Sequence, residues 1–171
     1  DPEGLGLDTF AKVEDVPFTF PNGCHVAEIE IDPDTGQIDL LRYVSAEDYG
    51  IILNPKLTIA QVSGGIAQGI GQAMSELAAY DHSSGQLITG SLMDYQLLKA
   101  DNLPVVEINL EDGHPTAANP LGVKGAGQAG AIAAPQTVIN AILDALSPLG
   151  IEHLDMPATS ESIWRAIRTA Q

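Results

Sequence analysis

Asn54-Pro-Lys-Leu-Thr-Ile-Ala-Gln-Val-Ser-Gly-Gly-Ile-Ala-Gln-Gly-Ile-Gly-Gln-Ala73 is the stretch from which the fold is read. Asparagine followed by proline is a helix start, the first as cap and the second in the first turn, where a missing N–H costs nothing. Ile59, Val62, Ile66, Ile70, Ala73 and Leu77 then recur at helical spacing. Gly64, Gly65, Gly69 and Gly71 sit inside that helix, each costing up to ~1 kcal/mol relative to alanine. Close approach by another backbone or by a ligand must offset that cost.

Upstream, His25–Ile31 alternates, Asp32-Pro-Asp-Thr-Gly36 is a turn and Gln37–Val44 is extended again, which predicts a β-hairpin. Downstream, Tyr80–Asp94 holds an Asp-His-Ser-Ser-Gly turn between short extended pieces, and Val105–Leu110 alternates like a strand with one solvated face. Both are expected to extend the hairpin's sheet. Ala131–Leu146 reads as a second long helix with Val138, Ile139, Ile142, Leu143 and Leu146 on its apolar face. Pro135 is tolerable only near a first turn, so the regular part is expected to begin close to it. Ile151–Leu154 is expected as a short strand, and Thr159–Ser162 as the cap of a last helix that turns Ile163, Trp164 and Ile167 inward and keeps Glu161 where the dipole favours it. The fold class is α+β: a mixed sheet packed with about three helices. Residues 1–17 read as an N-terminal extension or fragment boundary, and 18–171 as one domain.

A chain of 171 residues with 44% apolar content supports one core. Seven basic against 23 acidic residues give a net charge of −16, which repels nucleic acid and anionic membrane surfaces. Cys24 is alone, so an intrachain disulfide is excluded, and it reads as a small buried hydrophobe. His25, His82, His114 and His153 read as surface or turn histidines, and no zinc or iron cluster and no metal ligand is expected. No apolar run is expected to reach the ~20 residues of a membrane span. Asp1-Pro-Glu-Gly does not resemble a signal peptide and reads as the start of a fragment.

The second informative stretch is Asn119-Pro-Leu-Gly-Val-Lys-Gly-Ala-Gly-Gln-Ala-Gly130. A glycine-rich loop opening into a helix offers backbone N–H groups to an anion, and Lys124 is its one cation. Gly125-Ala-Gly-Gln-Ala-Gly130 matches the dinucleotide pattern G-x-G-x-x-G, but no hydrophobic strand precedes it, so a nicotinamide site is set aside. In the Gly64–Ala73 stretch, the side-chain-free positions let a ligand or a neighbouring backbone approach Gln68. Read alone, tight helix packing explains these glycines at least as well.

Asp48-Tyr-Gly-Ile-Ile-Leu-Asn-Pro55, Gly64-Gly-Ile-Ala-Gln-Gly-Ile-Gly71, Gly90-Ser-Leu-Met-Asp-Tyr95, Asn119–Gln128 and Asp155-Met-Pro157, in that order, closely resemble the molybdenum hydroxylases. That family includes xanthine dehydrogenase, aldehyde oxidase and oxidoreductase, and aerobic carbon monoxide dehydrogenase. The resemblance runs from about Phe18 to Ile167 and is to the C-terminal part of the large, molybdopterin-binding subunit.

The resemblance implies an oxidoreductase half-site for a molybdenum-molybdopterin cofactor, expected in its cytosine dinucleotide form, completed by an earlier portion of the same subunit. The missing N-terminal part is thus one partner. Iron–sulfur (2Fe-2S) and flavin (FAD) modules on other segments or subunits, and a small-molecule substrate, are the others. The reaction it implies is hydroxylation of an aldehyde, purine or related carbon by water. Carried over by position, Gly65, Gln68 and Gly69 match the segment touching the pterin, and Lys124, Gly125, Ala126 and Gly127 match the loop beside the metal. Gln128 stands where the family has its base, a glutamate. An amide does not accept a proton at neutral pH, and losing a positioned base costs ~10²–10⁴ in rate. The alternative is therefore a catalytically silent assembly domain of the same family. Glu76, Asp94, Glu111 and Asp112 are acids without matching spacing. A cytoplasmic location is expected, with the periplasm as the alternative, and the chain alone is expected to be inactive and to self-associate weakly.

Overall fold

The computed structural model describes residues 9–14 and 17–170. Of the expected extension, residues 1–8 and 15–16 lie outside the described part, while 9–14 and Pro17 are exposed and irregular. Three strands, β1 (Asn22–Ile31), β2 (Ile38–Asp48) and β3 (Val106–Glu111), form a mixed sheet in that order, β1 antiparallel and β3 parallel to β2. Three helices, α1 (Pro55–Met74), α2 (Ala129–Leu146) and α3 (Ser160–Ala170), accompany it. This is the α+β architecture expected from the sequence.

The hairpin forms where its local chemistry requires. Asp32 Oδ1 accepts the Asp34 N–H at 2.9 Å, Thr35 donates to Oδ2 at 2.8 Å, and Gly36 closes the turn at φ 71°. A Cβ at Gly36 would lie 2.1 Å from the Ser160 carbonyl, so glycine also lets α3 dock on the turn. The pairing slips between Glu28 and Ile29, leaving Leu41 as the extra residue of a bulge. The alternation therefore changes phase, and Leu40 and Tyr43 both face the core while Leu41 and Arg42 are exposed.

Helix α1 starts as read: Asn54 Oδ1 accepts the Leu57 N–H at 3.2 Å, with Pro55 in the first turn. Val62, Ile66, Ile70 and Ala73 are buried, whereas Leu77 lies beyond the helix end and Ile59 is partly exposed. The cost of the helical glycines is offset by α2. A Cβ at Gly65 would stand 3.0 Å from the Ala131 nitrogen, and one at Gly69 would stand 2.8 Å from both Ala134 Cβ and Pro135 Cδ. From the other side, a Cβ at Gly130 would reach within 2.4 Å of the Val62 carbonyl oxygen. Backbone meets backbone here, which no side chain would allow.

Five expectations are corrected. Helix α2 begins at Ala129, six residues before Pro135, because the proline ring finds its space over Gly69. Tyr80–Asp94 does not extend the sheet; one antiparallel bridge, Tyr80 to Leu87, closes a separate small turn around Asp81. Ile151–Leu154 is irregular, and Trp164 remains 38% exposed while Ile163 and Ile167 are buried. Finally, Ala129–Leu149 is long and apolar enough, by length and composition, to cross a membrane. In this fold it packs against α1 and the sheet through Gly130, Ala134, Val138, Ile142 and Leu146, which are buried.

Candidate functional site

The loop before α2 is fastened from four directions. Asn119 holds Val123 twice, its amide donating to the Val123 carbonyl at 2.9 Å and its oxygen accepting the Val123 N–H at 3.2 Å. Val123 bridges Gly50, and the Lys124 N–H donates to the Tyr49 carbonyl at 2.8 Å, so the loop continues the end of β2. Thr19 Oγ1 accepts the Gly125 N–H at 3.1 Å, and Gln61 of α1 donates to the Gly127 carbonyl at 2.7 Å. Gly122, at φ 68°, sits against Ile51 and Pro115 where a side chain has no room.

Lys124 does not reach out toward a ligand. Its Nζ lies 2.5 Å from Asp48 Oδ2, with the two side chains only 11% and 17% exposed. The Lys124 ammonium beside it, with the Gly50 N–H on the other oxygen, holds the Asp48 carboxyl below the usual range. The lysine is thus a peg that fixes the loop to β2, and its partner Asp48 lies 76 residues away in sequence.

What stays available is backbone. Ala126, Gly127 and Gln128 N–H have no hydrogen-bond partner among the described residues, and a helix start follows them directly. A Cβ at Gly127 would meet nothing within 4 Å. Such a row of open amides at a helix start suits the anionic groups of a phosphate or dithiolene. Gln128 occupies the cap position of α2, exposed, with no side-chain capping bond.

Gly65 and Gly69 lie in the contact with α2, Gly65 against the helix start that follows Gln128. Gln68 is exposed on α1 beside them, and Gln61, Gly64, Gln68 and Gln72 together make an open polar strip along that helix. The four acids considered as substitutes are placed otherwise. Glu76 accepts the Tyr95 hydroxyl at 2.7 Å and Asp94 accepts Ser91 at 2.8 Å, while Glu111 and Asp112 are exposed at the end of β3.

The inner face of the hairpin holds polar residues that sequence reading placed elsewhere or passed over. His25 is not on the surface: its side chain is 3% exposed, with Nε2 2.7 Å from Glu47 Oε1 and Nδ1 2.8 Å from the Tyr43 hydroxyl. Glu47 and Tyr49 are each 2% exposed, and Ser45 is fully buried. Desolvation, followed by the Glu47 carboxylate, pushes the Tyr49 phenol well up, and desolvation takes that of Tyr43 up to about 12. Period-two alternation alone puts positions 23, 25 and 27 on one face and could have found His25. Cys24, pointing the other way on an edge strand, is exposed and not buried as expected.

Residues 7–104 match the molybdopterin cofactor-binding domain family. The chain is 42% identical over 149 residues to the nicotine 6-hydroxylase large subunit of Paenarthrobacter nicotinovorans, covering 87% of this chain and 18% of that protein. It is 31% identical to the carbon monoxide dehydrogenase large chain of Hydrogenophaga pseudoflava, covering 98% of this chain and 21% of that one. Among solved structures, quinoline 2-oxidoreductase from Pseudomonas putida 86 superposes with a TM-score of 0.82 at 38% identity, over 86% of this chain and 19% of that chain. A Cu,Mo-CO dehydrogenase in its carbon monoxide reduced state superposes with a TM-score of 0.83 at 29% identity, over 88% and 19%. The chain spans about a fifth of the length of the curated relatives it matches. With its glycine-packed helix pair, its fastened loop of open amides and this match over more than half its residues, the chain belongs to the molybdenum-binding subunits of the molybdenum hydroxylase family.

Proposed function

We propose that this domain supplies one wall of a molybdopterin site whose other wall comes from the preceding part of the same subunit, and that the whole subunit hydroxylates an aldehyde, purine or related carbon with oxygen from water. The observation on which this rests is the loop Ala126–Gln128, whose amides are unpartnered among the described residues while every neighbouring attachment is fixed. Ala126, Gly127 and Gln128 would present N–H groups to the anionic cofactor, and Gly125 and Gly127 the open space for it. Lys124 would act through Asp48 by holding the loop, and Gln68, with Gly65 and Gly69 behind it, would offer its amide from the α1 strip. When bound, the cofactor supplies two-electron redox chemistry and delivers water oxygen.

Gln128 can donate and accept hydrogen bonds, so in this reading it orients a water or a substrate oxygen without taking its proton. Leu53, Leu57, Leu92, Met93 and Leu121 are exposed and would give the missing wall apolar contact. Electrons would leave through 2Fe-2S and FAD modules on partner subunits, and a cytosine dinucleotide form of the cofactor fits the same reading. The second reading, a silent assembly domain, draws on Gln128 alone.

Metal and pterin analysis of the full-length complex, expressed with ample molybdate, tests the proposal. Stoichiometric molybdenum supports it, and a folded complex without molybdenum or pterin overturns it. In the loaded complex, Gln128→Glu distinguishes the two readings: a silent domain with an otherwise competent site gains hydroxylation from zero, whereas an active enzyme shows turnover beforehand.

A further inference from the structure

The polar row on the inner hairpin face begins with two residues of very unequal size. In the hairpin's register Gly23 stands opposite Glu47 and His25 opposite Ser45, so His25 and Glu47 are diagonal neighbours on that face. Gly23 has no side chain, and the Glu47 carboxylate lies in the space this leaves: a Cβ there would overlap Oε2. Glu47 is 2% exposed, yet its hydrogen bonding is incomplete. Oε1 lies 2.7 Å from His25 Nε2 but receives no aligned N–H, and Oε2 has no hydrogen-bond donor among the described residues. A buried carboxylate is well tolerated only when its remaining lone pairs are met.

Room for the missing donor lies beside it. A cavity of about 220 Å³ opens between the hairpin and the first turns of α2, with buried His25 and Glu47 at its floor, Ala129 and Ala133 on its wall, and exposed Asn22 and Ile132 at its mouth. At ~30 Å³ per molecule this is the space of roughly seven waters, enough for one arginine side chain. The lining fits the same shape, since apolar walls suit the methylenes of a long stem and the acid suits a cationic head. A guanidinium or ammonium carries donors only, so it meets a carboxylate without adding an unpaired acceptor. No lysine or arginine lines the cavity. The chain has seven basic against 23 acidic residues, and Lys12, Arg42, Lys124 and Arg165 are already paired with acids elsewhere. The cation must therefore come from outside this domain. Ala129 directly follows Gln128, so the mouth adjoins the loop of open amides.

We propose that this cavity receives one arginine or lysine side chain from the preceding part of the same subunit, its head on Glu47 Oε2 and its stem between Ala129, Ile132 and Ala133. The inference rests on the reading above in which that part supplies the other wall of the site. The incoming cation completes a row of three, His25, Glu47 and itself, and so ties the closing wall to the first turn of α2. His25 holds one carboxylate oxygen and leaves the other for the partner. Charge complementarity selects the occupant: an anionic or purely apolar group would leave the buried carboxylate as unmet as before.

The test uses the full-length subunit in its complex. Ile132→Cys, labelled with a thiol-reactive benzophenone and irradiated, reports by mass spectrometry what covers the mouth. Cross-links are expected to residues of the preceding part of the same subunit that flank an arginine or lysine. Replacing that cation by alanine and, separately, Glu47→Gln are each expected to speed hydrogen exchange at the Ile132 and Ala133 amides on the order of 10-fold, and the double variant no further. The cross-link needs no change at Glu47, so it decides the matter even where Glu47→Gln fails to fold. Cross-links confined to this domain, cross-links to an iron–sulfur or flavin subunit, or exchange effects that simply add each overturn the inference. Molybdenum is measured on the same preparation: its absence overturns the cofactor reading and leaves the cross-link result standing.

Discussion

Toward α1, helix α2 presents Gly130, Ala134 and Pro135 to Gly65 and Gly69 with no polar side chain at the closest approach. Toward the sheet, the same helix faces His25 and Glu47 across a cavity with nothing larger than Ala129, Ile132 and Ala133. The first contact is dense and dry, and its residue choice follows from sterics. The second is looser at the first turns of α2, and it sets a buried His25–Glu47 pair against small apolar side chains. Two faces of one helix thus show that burial alone does not reveal why a residue is kept.

Substitutions at the two faces should behave oppositely. The largest effect is expected from His25→Ala, which leaves the Glu47 carboxylate buried without its partner and should cost ~3–5 kcal/mol in chemical denaturation. Gly130→Ala comes next. Its new methyl meets the α1 backbone, which cannot swing away, and a loss toward the upper end of ~1–3 kcal/mol is expected by the same measurement.

Gly69→Ala should cost less than Gly130→Ala, because Ala134 and Pro135 side chains are what it meets. Pairing it with Pro135→Ala should show a coupling of ~0.5–3 kcal/mol in a double-mutant cycle. Additive losses would mean that the proline ring and Gly69 do not share one space. The smallest expected change is from the pair His25→Met with Glu47→Met, which should unfold within ~1 kcal/mol of the parent or above it. A large loss in that double variant would place the polar row among the structural necessities and erase the contrast.

A pH scan adds a control outside both faces. The Asp48 carboxyl is lowered in the folded state by Lys124 and the Gly50 N–H, so its contribution is present above the ordinary aspartate value of 3.8. It is lost as pH falls through the lowered folded value. Asp48→Asn should therefore flatten the acid limb of stability below about pH 3.8.

The hairpin and α1 were legible because their signals are local: an Asp-Pro-Asp-Thr-Gly turn, an Asn-Pro cap and periods of two and 3.6. The phase change at Leu41 was not, since a bulge depends on the partner strand. Pro135 misled for a related reason, its tolerance being set by Gly69 on another helix. The amide loop was visible as glycine and asparagine. Its fastening by Asp48, Thr19 and Gln61 was not, because each partner is 66 or more residues distant. His25 was misplaced because its environment is made by Glu47, on the strand opposite.

Because β3 runs parallel to β2, both strands release the chain at the same end, at Asp48 and at Glu111. The residues that follow β3 wander over that end before Asn119 gathers them into the loop. Gly113, at φ 118° with open space around it, sits in this passage. Evolution can therefore lengthen, shorten or rewrite the passage without disturbing a single ladder pair, so relatives sharing this sheet are free to diverge in what they admit at its rim.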